Sequence, residues 1–433
     1  VPKVGIWIAI LLLALVGGGI GYLVYQDNQP AAEAPPSETR VFPDGLKSLN
    51  AVRLEREGDR PVEIRSTGAD AWTIESPQEY AVDQVAVGDL VAALRTLDAD
   101  RLVEMGDTDP RDFGLHAPTL KVTVTEGQTH RTLEIGGTNP TGSARYARLE
   151  GNQKLFLLGM ASVGSLNKSL GDLREKRVIT ANEFNVQSIL VEGPKESKHI
   201  IRRENRDWTF EEPKDFFADQ RLISEFVNNV LQLRTDAAAL NRESLPEAKF
   251  RALPLYARLK VSSEGKEHAA ELRGTAGSVY AQSDALGGIY PVPTELDNFL
   301  RKPLAEFRDL RVFRFGFSDI FKLRYEGGGK SIALGKPNDD WVLDGGKQIE
   351  SSKANALVDE LRGLTATEYL EGQAPGEVTH TVVVELGDGK TENIRLHKNG
   401  DDLFAVRDGE KGYYKLPASF LKGLESAAGG IVP

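Results

Sequence analysis

Three stretches of the chain carry the same apolar stripe. Val87, Leu90, Val91, Leu94 and Leu97 form one, Ile223, Phe226, Val227, Val230 and Leu233 the next, and Ala354, Leu357, Val358, Leu361 and Leu364 the third. Each set falls at i, i+3, i+4, i+7 and i+10, the spacing that gathers apolar groups on one side of a helix. Ahead of each stripe stands a related phrase: AWTIESP from Ala71, DWTFEEP from Asp207 and DWVLDGG from Asp340. Trp72, Trp208 and Trp341 thus recur at 136- and 133-residue intervals (208 − 72 and 341 − 208). A repeat at such a period is a domain that occurs three times.

Around each helix the apolar period changes from 3.6 to 2. AVRLEREGDRPVEIRS, SILVEGPKESKHIIRR and FKLRYEGGGKSIALGK predict hairpins leading into the Trp strand, and PTLKVTVTEGQTHRTLEIGG, ARLKVSSEGKEHAAELRG and HTVVVELGDGKTENIRLHK predict hairpins after the helix. A further hairpin opens with an aromatic–Ala pair at Tyr146, Tyr280 and Phe404, and a second helix is expected near Ala161–Leu170, Thr294–Leu304 and Pro417–Leu424. The fold class is therefore α+β: three tandem homologous domains of antiparallel sheet with two helices each, over 46–178, 179–312 and 313–433. The tryptophans are expected as core anchors of the repeats, with an exposed ligand-stacking role as the alternative. GDLREKRV from Gly171 and AEFRDLRV from Ala305 recur only where another repeat follows. Arg174, Arg177, Arg308 and Arg311 are accordingly expected at inter-domain joints, forking onto carboxylates or carbonyls.

The start of the chain breaks this pattern. Residues 6–25, IWIAILLLALVGGGIGYLVY, carry no charge and have about the length needed to span a bilayer as a helix. Lys3 before the span and Asp27 and Glu33 after it put a short tip, 1–5, in the cytoplasm and the bulk outside. The expected location is the bacterial inner membrane, single-pass, with a periplasmic body. Gly17 and Gly21 have the G-x-x-x-G spacing that lets helix backbones approach closely in lipid, a membrane helix packing site for integral membrane subunits. The Pro/Ala-rich stretch 26–45 reads as a linker.

Of the 433 residues, 40% are hydrophobic and 27% charged, as in a globular body. A net charge of −11 without a basic run argues against nucleic acid or anionic lipid as a partner. The absence of cysteine excludes disulfides, thiolate metal sites and a cysteine nucleophile. Six scattered histidines lack metal-ligand spacing. EGGGKS at Glu326–Ser331 lacks the first glycine of a phosphate loop, and GGTNPTGS at Gly136–Ser143 has no following lysine. No catalytic, cofactor-binding or metal residue is assigned, and no cofactor is implied.

Taken with the Trp phrase, DFGLHAPTLKVTV, LEIGGTNPTGSARYARLEGNQKLFLL and LGDLREKRV resemble a bacterial domain-of-unknown-function family of single-anchor periplasmic proteins. Members are commonly encoded beside gliding-motility-type ABC transporters. The resemblance covers Leu49–Val178 best and implies an accessory role without catalytic residues to carry over. The expected function is a non-catalytic subunit of a multi-subunit membrane complex, an ABC-type transporter or a photosynthetic or respiratory assembly, whose periplasmic arm scaffolds its partners. The alternative is a periplasmic module that captures polysaccharide, peptide or lipid between repeats.

Overall fold

The computed structural model describes residues 38–431 apart from 44, 69–70, 105–108, 204–206, 213–215, 294, 297–298, 317–318 and 338–339. The apolar segment 6–25, with Gly17 and Gly21, lies outside the described residues. Among the described residues, no helix is long and apolar enough to cross a membrane.

In the first repeat, β1 (Leu49–Arg56), β2 (Val62–Gly68) and β3 (Ala71–Ser76) precede helix α1 (Gln84–Arg95). Then come β4 (Arg101–Glu104), β5 (Leu120–Glu126), β6 (Thr129–Thr138), β7 (Ala144–Leu149), β8 (Lys154–Gly159), α2 (Met160–Leu166) and α3 (Leu170–Leu173). The second repeat runs β9 (Val186–Glu192), β10 (Ser197–Arg202), β11 (Trp208–Phe210), α4 (Gln220–Leu231), α5 (Ala237–Leu240), α6 (Glu247–Ala252) and β12 (Leu255–Ser263). It continues with β13 (Lys266–Thr275), β14 (Ser278–Ser283) and β15 (Gly288–Val292). The third runs β16 (Ile320–Gly327), β17 (Lys330–Gly335), β18 (Val342–Leu343), α7 (Ser351–Gly363), β19 (Glu368–Glu371) and β20 (Glu377–Leu386). It ends with β21 (Thr391–Asn399), β22 (Asp402–Arg407), β23 (Gly412–Leu416) and α8 (Phe420–Ile431).

Each repeat builds one antiparallel sheet by the same path. The strand orders are β3-β2-β1-β5-β6-β7-β8-β4, β11-β10-β9-β12-β13-β14-β15 and β18-β17-β16-β20-β21-β22-β23-β19. Register repeats as well: Val52 lies opposite Ile64 and Val124, Ile189 opposite Ile200 and Val261, and Leu323 opposite Leu334 and Val384. These residues are all buried, because strand side chains alternate between faces and one face is covered. All fifteen stripe positions are buried too, twelve within the three helices and Leu97, Leu233 and Leu364 just past their ends. Full burial of a Val, Leu or Ile side chain contributes about 1.5–3 kcal/mol, so the stripe is the main reason each helix forms where it does. Asp83 and Asp219 fix two of the helix starts by accepting from Ala86 N, and from Arg221 N and Leu222 N.

The second repeat departs from the expected plan in two places. Where its sisters have the edge strands β4 and β19, it has the helix α5. The local sequence explains this: Ala237–Ala239 are strong helix formers and poor strand formers, and Asp236 caps them through Ala239 N. Of the closing helix expected near Thr294–Leu304, residues 294 and 297–298 lie outside the described residues, and the rest show 3-10 and other turns, with a short 3-10 turn at Leu304–Phe307. Pro303 has no N–H to donate and disfavours helical backbone at the residue before it. Two helices per repeat is therefore too regular a description.

Compactness divides the chain into two units that do not follow the repeats. One runs to Val178 and takes in Arg234–Phe250 and Gln282–Val292, and the other comprises Ile179–Leu233, Arg251–Ala281 and the chain from Pro293. The first unit holds a core in which Trp72 and the α1 stripe pack with β1, β2, β5 and β6. The second holds an edge-to-face cluster of Phe210, Phe216, Phe226 and Phe307, and a further core built on Trp341, α7 and α8.

Candidate functional site

The three repeat tryptophans, Trp72, Trp208 and Trp341, are buried, and each is tied to the long helix of its repeat. Gln84 closes a pair of hydrogen bonds with the Trp72 backbone, accepting from its N–H at 3.1 Å and donating to its carbonyl at 2.9 Å. Gln220 does the same for Trp208 at 3.0 and 2.7 Å. In the third repeat the tie passes through the ring, with Trp341 Nε1 donating to Asn355 Oδ1 at 3.0 Å. A buried indole needs such a partner or a route to water.

The recurring Arg phrase is where the repeats meet. In the first unit it is stitched on both sides: Asp83 N donates to Leu173 O and Glu175 N to Ala81 O, while Thr235 N donates to Lys176 O. A box at Ser169–Asp172 caps α3, and Asn241 locks it by accepting from Gly171 N and donating to Ser169 Oγ. Gly171 is required there, since a Cβ would stand 1.9 Å from the Ala237 carbonyl oxygen. This backbone aims the Arg174 side chain inward, where it is 1% exposed. Arg174 Nη1 donates to Leu240 O at 3.2 Å and Tyr290 Oη at 3.0 Å, and Nη2 donates to Leu286 O. Its guanidinium lies 3.7 Å from the Tyr80 ring centre and 5.0 Å from that of Tyr290. No carboxylate pairs with it among the described residues. Arg177 instead forks onto Glu175 of its own phrase.

The second unit repeats the stitching. Asp219 N donates to Phe307 O, Asp309 N to Phe217 O and Ala366 N to Leu310 O. Arg311 forks onto Asp309 as Arg177 does onto Glu175. Arg308 packs between rings like Arg174, at 3.6 Å from Tyr369 and 4.5 Å from Phe216, but its buried Nη1 has no hydrogen-bond partner among the described residues. A buried charged network lies in the same unit. Arg314 donates to Glu410 and to Tyr414 Oη, both at 2.7 Å, Tyr414 donates to Glu410, and Arg407 pairs with Glu392 at 2.9 Å. Burial opposes ionisation of Asp309, yet hydrogen bonds from Arg311 and the charges of Arg311 and Arg314 outweigh it and hold the carboxyl below its ordinary range. Burial, aided by Glu410, pushes the Tyr414 hydroxyl well above the ordinary phenol value despite Arg314 and Arg308 nearby.

Beside Arg174, the first unit has a cleft of about 480 Å³. Tyr80, Tyr290 and Leu240, all in contact with Arg174, line it, together with residues of β1, β2 and the segment after α5. Arg60, Lys168 and Arg242 also line it. These three come from distant parts of the chain, so no basic run announced them, and sequence reasoning missed the cluster. The glycine phrases singled out for phosphate have structural duties. Gly136 lies against the backbone at Phe113, where a Cβ would stand 2.5 Å from the carbonyl oxygen, and Gly327–Lys330 make the turn of the β16–β17 hairpin.

The profile described as "Domain of unknown function (DUF4340)" matches residues 72–252 and 270–383, more than half of the chain. The chain belongs to the DUF4340 family. The matched residues of this DUF4340 protein include all three repeat tryptophans and all four joint arginines. No curated protein and no solved structure is significantly similar to it.

Proposed function

We propose that this DUF4340 protein is a non-catalytic accessory subunit of a bacterial membrane complex, an ABC-type transporter or a photosynthetic or respiratory assembly. In this reading segment 6–25 anchors it in the inner membrane, Gly17 and Gly21 pack on partner helices, and the body stands in the periplasm and scaffolds those partners. The observation that carries the reading is the stitched joint, present twice with the same backbone pattern and a ring-packed arginine at its centre. A scaffold works by holding surfaces in fixed relation, and satisfied buried polar groups are a device that specifies one arrangement.

The test is purification of the full chain from native membranes in mild detergent, followed by mass spectrometry of what accompanies it. The expected result is a fixed set of integral membrane subunits with the wild-type chain, largely lost when Gly17→Leu and Gly21→Leu are combined. A wild-type chain that runs as a monomer without partners would contradict the proposal. The second reading, a module that captures a ligand between repeats, draws on the cleft beside Arg174, which residues of the first two repeats line together.

A further inference from the structure

We infer that the cleft on the first unit is a docking site for an acidic segment of a partner polypeptide, a proposal that rests on the accessory-subunit reading and names the chemistry of its partner. Arg60, Lys168 and Arg242 converge on this cleft, and none of the three side chains has a hydrogen bond, ion pair or ring contact among the described residues. Arg56 and Asp59, also in the wall, pair with each other at 3.3 Å, which leaves Glu243 as the one unpaired acid lining the cleft. The rim therefore keeps an excess of two positive charges on a chain whose net charge is −11.

Beneath the rim lies a further cation. Arg174 is buried behind Tyr80 and Tyr290 and is held by carbonyls, a hydroxyl and rings, with no carboxylate to cancel its charge among the described residues. A charge behind a low-dielectric wall is screened less than one in water, so its field reaches the cleft.

The donors also discriminate between anions. A phosphate site is normally a cradle of backbone N–H groups. Here the nearby polar groups are already engaged: Ser169, Gly171 and Asn241 bond one another, and Ser244 Oγ accepts from Ile289 N. What remains, besides the Gln78 amide and Glu243, are long, flexible cationic side chains, which recognise charge at several points and not the shape of one small oxyanion. That suits a run of Asp or Glu side chains. The cleft is also singular, because its wall after α5 exists only where the second repeat replaces the edge strand of its sisters.

The experiment measures binding of a fluorescent oligoglutamate peptide to the full chain in detergent at about 50 mM salt, then at about 500 mM, where surface attraction is screened. Arg60→Ser, Lys168→Ser and Arg242→Ser are combined in one variant, with Arg221→Ser, Lys353→Ser and Lys422→Ser as a control that removes as much positive charge elsewhere. The cleft variant is expected to bind about tenfold to a hundredfold more weakly at low salt, with an unchanged melting profile, while the control binds as the wild type does. High salt should abolish the difference. Equal binding by wild type and cleft variant, or no binding by the wild type at low salt, overturns the assignment. So does tighter capture of inorganic phosphate or phosphatidylglycerol vesicles through the same three cations. In the native-membrane purification, a cleft variant that keeps every partner of the wild type overturns the docking site and leaves the accessory-subunit reading standing. A wild-type chain without partners overturns that reading itself.

Discussion

The two joints share a backbone and differ in how they settle a buried arginine. Arg174 reaches two carbonyls and a tyrosine hydroxyl, whereas Arg308 in the same register keeps its ring contacts but leaves Nη1 without a partner. The segments facing them account for the difference. α5 and the turn before β15 offer the Leu240 and Leu286 carbonyls to Arg174, while the corresponding parts of the third repeat are the strand β19 and a turn carrying Glu410. The second unit thus places a carboxylate where the first places a main-chain oxygen, and surrounds it with Arg314, Arg407 and Tyr414. One joint sets a network of buried acids, Arg314 and Arg407 beside its ring-packed arginine. The other has no such network, and a cleft lies beside its ring-packed, carbonyl-bound arginine.

The largest effects should come from removing a buried charged partner. Glu410→Ala takes the close acid from buried Arg314, while Arg407 keeps Glu392, and is expected to cost about 3–5 kcal/mol in urea denaturation of the chain. Arg174→Leu strands two buried carbonyls and should cost about 2–5 kcal/mol, whereas Arg308→Leu, which loses ring contacts but no hydrogen bond of Nη1, should cost about 1 kcal/mol or less. Equal losses for the two arginines would erase the contrast between the joints. Next comes Gly171→Ala, whose Cβ would meet the Ala237 carbonyl, with an expected cost of about 1–3 kcal/mol. The second phrase already has Ala305 at this position, so Ala305→Gly should change stability far less.

Acid should act on the second unit through two groups. The Asp309 carboxyl titrates below its unfolded value, so its contribution is present at neutral pH and is lost as pH falls below about 4 through the lowered value. Asp309→Asn should flatten that limb. His380 behaves differently. Burial lowers its pKa more than Glu425, 3.4 Å away, raises it. The unfolded chain then binds the proton more readily, and stability should fall as pH drops through about 6.5. A urea series on His380→Gln that retained this slope would contradict the assignment. A similarly small effect, about 1 kcal/mol each, is expected for Gln84→Ala and Asn355→Ala, which remove the side-chain ties to Trp72 and Trp341.

The α+β class and the three sheets were legible because they rest on local period. A 3.6-residue stripe and a two-residue alternation survive in any window, and threefold recurrence separates them from chance. The recurrence of Arg174 and Arg308 was visible as well, but not their unequal partners, since Leu240, Leu286 and Glu410 meet them only through the fold. Two local features of the second repeat went unread for want of weighing propensity against the repeat: the alanine run at 237–239 forms a helix, and Pro303 precedes a short 3-10 turn where a closing helix was expected. The cleft was invisible for a different reason. Arg60, Lys168 and Arg242 belong to three separate elements, and a cluster assembled by tertiary contact leaves no run in the sequence.

The most direct test of the account is the mass of the native particle. Native mass spectrometry of the full chain, released gently from its own membranes, should show one defined assembly heavier than the 47.4 kDa chain and dissociating into it and integral membrane subunits. A single species at the mass of the chain alone would contradict the scaffold role.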